Sequence, residues 1–144
     1  MKNNNKTFIP TSESIERKWY LIDCSHIPLG RIVPFVYQLL IGKNKPYYYP
    51  GRDLGDSVIL INTNQMTIAG SLRQMMYVYK PGRPGSSLKV KLDFRPEVLI
   101  RRCIHKMMPK KLYSSKRLKI YLGTDHPHIA QQPIQLHDLD KYRL

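Results

Sequence analysis

Two short and wholly apolar runs, Trp19-Tyr20-Leu21-Ile22 and Val58-Ile59-Leu60-Ile61, constrain this chain more than any other feature. Closed by Asp23 and Asn62, they fit strands buried on both faces, as in a parallel sheet. Between them Ile32, Val33, Val36, Leu39 and Leu40 recur at helical spacing from Arg31 and stop near Gly42. Pro34 is expected near the first turn of that helix, where its missing N–H costs least. Cys24 to Gly30 reads as the connecting loop. Strand, helix and strand in this order predict a right-handed βαβ crossover.

Further elements follow in order. Met66 to Ile68 is a brief link, Gly70 a turn, and Met75 to Tyr79 a third strand candidate. A second helix tolerates Pro96 in its first turn and is stopped after Met108 by Pro109. Ile100, Cys103, Ile104 and Met107 line its inner face, with Arg101, Arg102, His105 and Lys106 opposite. A basic loop from Lys110 to Arg117 leads to an alternating strand, Leu118 to Leu122. Thr124 to Gln132 is polar and irregular, and a surface tail is expected from Pro133. The expected division is an N-terminal extension over 1–18, a core domain over 19–125 and an extended C-terminal tail over 126–144.

Charge sets the partner. The chain of 144 residues carries a formal net charge of +14 and a pI near 9.9, which points to nucleic acid or an anionic surface. From Arg95 to Lys119, nine Lys/Arg face one acid, Glu97, a net +8 in a short stretch. A merely solvated face usually mixes both signs. The second helix therefore reads as an apolar stripe docked on a core with a cationic face turned to a polyanion. Two loops extend this reading. Lys43, Lys45 and Arg52 surround Tyr47-Tyr48-Tyr49, rings suited to stacking on bases beside cations that neutralise phosphates. Lys80 and Arg83 lie in a Pro/Gly-rich loop that allows close backbone approach to a phosphate–sugar chain. No apolar run approaches bilayer length, and the Asn-rich start lacks the apolar core of a secretory signal. Cys24 and Cys103 are expected as reduced, buried thiols.

Tests for chemistry are negative. The residues after the first strand, Asp23 to Gly30, carry no glycine fingerprint, and no Walker-type Gly-Lys-Ser/Thr occurs. Adjacent Ser25 and His26 give no positioned nucleophile and base. His126 and His128 have no third ligand at zinc spacing, so no metal is assigned. Asp53 and Asp56 read as turn-formers before the second strand. No catalytic residue, cofactor or small-molecule substrate is expected.

Taken in order, Trp19…Ile22-Asp23, Leu29-Gly30-Arg31, Gly42-Lys43, Tyr49-Pro50, Asp53-x-Gly55-Asp56, Val58-Ile59-x-Ile61-Asn62, Met107-Met108-Pro109-Lys110, Leu118-x-Ile120-Tyr121-x-Gly123 and His126-Pro127-His128-x-Ala130-Gln131 form a pattern. It resembles the bacterial-type large-subunit ribosomal protein thirteen family, across about residues 19 to 133. The arm Lys6-Thr7-Phe8-Ile9-Pro10 resembles the plastid members most. Departures occur at Lys106, where the family has glycine, at Lys111 to Ser114, which lacks the family's Gly-x-Leu-Gly-Arg turn, and in a shortened loop from Lys80 to Asp93.

The resemblance implies an α/β protein: a three-layer α/β/α single domain on a mostly parallel four-stranded sheet, with extended basic loops and terminal tails. It implies binding to large-subunit rRNA beside neighbouring ribosomal proteins, without catalysis. A plastid ribosome is the favoured location, with bacterial cytoplasm or mitochondrion as alternatives. Arg31, Lys43, Tyr49, Lys110, His126 and His128 match family motif positions. Arg83, Arg101, Arg102, Lys106, Lys111, Lys116 and Arg117 come from charge layout alone. The rival reading is a free-standing RNA-binding regulator using the same surface.

Overall fold

β2, Ser57–Ile61, is the strand around which the sheet is built, with every residue from Ser57 to Leu60 buried. In the computed structural model, described for residues 8–11, 15–68, 76–79, 82, 84–85, 88–91, 95–109, 115–137 and 139, four parallel strands run β5-β2-β1-β6. β1 is Trp19–Asp23, β5 Leu118–Ile120 and β6 Ile134–Leu136. Their register places Tyr20, Val58, Leu118 and Ile134 in one row across the sheet. The expected α/β domain on four strands is present, and all four strands are parallel.

Two strand assignments differ from the sequence reading. The third candidate, found at Met76–Tyr79 as β3, does not join this sheet. It pairs antiparallel with β4, Leu88–Lys91, in a separate hairpin. The sheet's fourth strand is instead β6, from the segment expected as an extended surface tail. Leu139 beyond it is also buried. Three residues, Ile-Gln-Leu, are too short to signal a strand alone; β1 supplies the edge that makes them one.

α1, Leu29–Ile41, buries Leu29, Ile32, Val33, Val36, Leu39, Leu40 and Ile41, which includes the whole predicted inner face. Gly42 closes it at φ +83°, and the Lys43 N–H donates to the Gln38 carbonyl at 2.9 Å. A Cβ at Gly42 would also stand 2.7 Å from the Leu54 carbonyl oxygen. Pro34 lies one turn deeper than expected, because the helix starts at Leu29. The carbonyl it leaves without a helical partner is that of Gly30. Both residues are exposed, which leaves the group accessible to solvent.

α2 spans Pro96–Met107 and packs on α1. Progress from β1 through β2 to β5 is in one direction across the sheet. Right-handed crossovers then put the two helices found among the described residues on one face. Ile22, Val58, Leu60 and Leu118 meet Val36, Leu40, Ile100 and Ile104 there in a single core. Trp19, Leu21, Ile59 and Lys119 alternate onto the opposite face. The return from β5 to β6 must run back along the sheet, since Ile134 pairs with Tyr20 near the start of β1. Among the described residues this link, Tyr121 to Pro133, is irregular and bent apart from a single 3-10 turn at Ile129–Gln131.

Candidate nucleic-acid interface

α2 presents its cations as the periodicity predicts. Leu99, Ile100 and Ile104 are buried, while Arg101, Arg102, His105 and Lys106 are exposed. Glu97 in the first turn and His105 and Lys106 in the last match the helix dipole. Glu97, Val98, Arg101, Arg102 and His105 line a shallow groove of about 380 Å³. The inner face differs from the expected one: Leu99 is buried, Cys103, expected as a buried thiol, is half-buried, and Met107 is 43% exposed. Met107 falls on the last turn and borders an apolar groove of about 390 Å³ with Leu29, Val33, Pro34 and Cys103. Burial pushes the Cys103 thiol above its ordinary pKa, opposed by the charges of Lys106 and Arg102.

The Tyr-rich loop is built on a buried ion pair. Asp56 is fully buried, and its Oδ1 accepts from Lys45 Nζ at 2.7 Å and from the Lys18 N–H at 3.0 Å. Lys45 Nζ also donates to the carbonyls of Glu16 at 2.7 Å and Leu54 at 2.8 Å. Its three ammonium hydrogens are thereby used. Beside it, the buried Arg117 guanidinium pairs with Asp53 at 2.8 Å, and the more exposed Arg17 approaches the same carboxylate at 3.7 Å. Gly55 sits between these acids with no room for a side chain, since a Cβ would overlap the Leu40 carbonyl. The expected turn at Asp53 to Asp56 is therefore also a charge-paired latch. Lys45 and Arg117, expected to meet RNA, have their charged ends turned inward to carboxylates. The buried side chains leave only 9% of each exposed.

Lys43, two residues away, behaves oppositely. It is exposed, with its ammonium 5.3 Å from the centre of the Tyr37 ring. Arg31, Arg52 and Lys116 are exposed, and Tyr49 is half-buried with its ring against Gly51. Lys80, Arg83, Lys110 and Lys111 lie outside the described residues.

His126 and His128 meet on the face opposite the helices. Their rings stack at 6.4 Å, and the His128 backbone N–H donates to His126 Nδ1 at 3.3 Å. Trp19 lies 5.4 Å from the His128 ring, and the Tyr121 hydroxyl is 2.8 Å from His128 Nε2. Burial holds the His128 imidazole below its ordinary pKa, helped by Lys119 and His126. Nothing in the spacing of the sequence signalled Trp19 as the partner of His128. Only the back-crossing of the link brings them together. Among the described residues, no three His, Cys, Asp or Glu side chains group as metal ligands. Ser25 is a turn residue, its hydroxyl donating to Asp23 Oδ1 at 2.9 Å.

Comparison with known proteins matches residues 17–127 to the family model described as ribosomal protein L13. The chain belongs to the ribosomal protein L13 family. It is 45% identical over 135 residues to large ribosomal subunit protein uL13c of Trieres chinensis, covering 92% of this chain and 96% of that protein. It is 43% identical over 138 residues to uL13 of Microcystis aeruginosa, covering 90% and 91% of the two chains. The uL13 of Maridesulfovibrio salexigens is 38% identical over 136 residues, covering 89% of this chain and 96% of the relative. The L13 family match takes in both helices, the latch and three strands of the parallel sheet. It ends at Pro127, within the histidine link and before β6.

Proposed function

We propose that this chain is a structural constituent of the large ribosomal subunit that binds and stabilises large-subunit rRNA during assembly. The observation that carries the reading is the exposed cationic side of α2, Arg101, Arg102, His105 and Lys106, on a helix whose other side is sealed into the core. Its membership of the L13 family, with relatives named as large ribosomal subunit proteins, supports the same reading. Arg31, Lys43, Arg52 and Lys116 add exposed cations, and Tyr49 adds a ring. Lys/Arg groups of this kind release counterions from folded RNA and hold helices that would otherwise repel.

The role is that of a clamp, with no reaction of its own. Neighbouring ribosomal proteins contact the surfaces that RNA leaves open. The similarity to uL13c favours a plastid ribosome over a bacterial or mitochondrial one. Sedimentation of a tagged copy from native lysate tests the proposal. Co-migration with large subunits at moderate and at high salt is the expected result, and the rRNA in those fractions identifies the compartment. A slowly sedimenting free pool beside ribosomes that lack the protein would overturn it in favour of a free-standing RNA-binding regulator.

A further inference from the structure

The residues leading into β1 and the loop after α1 face each other across a cleft of about 280 Å³. Glu16, Lys18, Tyr20, Asn44, Lys45 and Tyr47 line it. One wall is fixed in advance, because Lys45 is held by the Glu16 and Leu54 carbonyls and by buried Asp56. With its ammonium hydrogens committed there, Lys45 contributes shape more than free charge. The residues left to meet a ligand are half-buried Tyr47 and the exposed Asn44, Glu16 and Lys18, while half-buried Tyr20 packs against the core at the base of the cleft.

We propose that this cleft takes one unstacked nucleoside of an RNA strand, a site that rests on the rRNA-binding reading above. Tyrosine rings offer a stacking surface that accepts any base. The Asn44 amide both donates and accepts, as a base edge requires. Glu16 decides between a base and a bare phosphate. An ionised carboxylate only accepts hydrogen bonds and repels an anion, so it favours the exocyclic amino groups of adenine, cytosine or guanine, or a ribose 2′-hydroxyl. Uracil, with a single ring N–H and no amino group, fits least well. Lys18 carries the charge suited to the flanking phosphate. Preorganisation by the latch lowers the ordering cost of capture.

Ultraviolet cross-linking of purified large subunits, followed by mass spectrometry of the digested protein, gives the first readout. A nucleotide adduct is expected on the peptide that carries Tyr47. Filter binding of the full chain to large-subunit rRNA across a salt series gives the second. Tyr47→Ala is expected to weaken binding about tenfold, the scale of one lost base stack, with the salt slope unchanged because no phosphate contact is lost. Tyr47→Phe, which keeps the ring, is expected to bind like the parent, and circular dichroism checks that both variants fold. An unmodified Tyr47 peptide with full binding by Tyr47→Ala overturns the cleft while leaving the rRNA reading intact. A changed salt slope, or an equal loss in Tyr47→Phe, also overturns base stacking. Failure of the parent chain to bind rRNA at all would instead sink the functional reading.

Discussion

Replacing Lys45 with methionine tests whether this cation is a structural latch. Methionine keeps the unbranched apolar stem and deletes the ammonium. The substitution leaves the Asp56 carboxylate fully buried, with the Lys18 N–H at 3.0 Å as its remaining described donor to Oδ1 and no partner at Oδ2. It also strips a donor from the carbonyls of Glu16 and Leu54. Breaking a buried pair on one side costs about 3–5 kcal/mol, because the other charge stays buried without compensation. For a chain of 144 residues that is a fall in Tm on the order of 10 °C. Urea unfolding followed by circular dichroism reads the loss as a lower midpoint at unchanged slope. The paired variant Lys45→Met/Asp56→Asn removes the stranded charge, so it should recover part of the loss and show favourable coupling in a double-mutant cycle. Lys43→Met, which deletes an exposed ammonium, should cost less than about 1 kcal/mol. If Lys45→Met costs no more than Lys43→Met and the cycle shows no coupling, the pair is a solvent-screened surface bridge and the latch argument fails.

Reversing Arg101 and Arg102 together to glutamate should weaken rRNA binding and reduce the slope of log affinity against log salt by about 2, one unit per lost phosphate contact. An unchanged slope in filter binding would remove that face from the interface. His128 has a folded-state pKa below its ordinary value, so on acidification the unfolded chain takes up its proton first. Its contribution to stability is present above the unfolded pKa and is lost as pH falls through the lower folded value. Thermal melts from neutral to mildly acid pH should show a fall that His128→Gln makes shallower, while an identical pH profile in the variant would refute it. Gly55→Ala should destabilise by about 3 kcal/mol through overlap with the Leu40 carbonyl, as read by urea unfolding. Gly30→Ala, in a helix with nothing within 4 Å of the added Cβ, should stabilise by about 0.5–1 kcal/mol in the same assay.

The parts of the fold that were legible in the chain are those whose signal is local. Apolar runs at Trp19 and Val58 and the helical spacing of Ile32, Val36 and Leu40 each identify an element without knowledge of its neighbours. β3 illustrates the limit. Its strand character was readable, but its choice of β4 over the parallel sheet depends on pairing between segments, which periodicity does not record. The alternation Leu88-Lys-Val-Lys is itself a strand signal, and its pairing with β3 makes it β4. β6 goes further: its three residues become a strand only because β1 offers an unpaired edge, and both of its first two side chains are exposed.

The same distinction divides the cations of the interface. Lys43 and Lys45 share one basic loop, and composition assigns them the same role. Their separation arises from Gly42, whose left-handed turn swings the chain off α1, and from Asp56, which enters the buried start of β2 beneath that loop. A buried carboxylate must find a cation, and Lys45 is the cation it finds. Arg117, just before β5, is the converse case: its guanidinium is the buried partner and pairs with the half-exposed Asp53, while neighbouring Lys116 stays in solvent. In a chain with 10 acids against 24 Lys and Arg, charge counting sees an excess to be neutralised by an external polyanion. The acids placed beside the entry to β2 decide which cations are withdrawn from that excess. Asp53-x-Gly55-Asp56 was therefore the informative motif for the loop. Its glycine allows the two acids to turn against the Leu40 backbone, where they hold Lys45 and Arg117 and leave Lys43 and Lys116 outward.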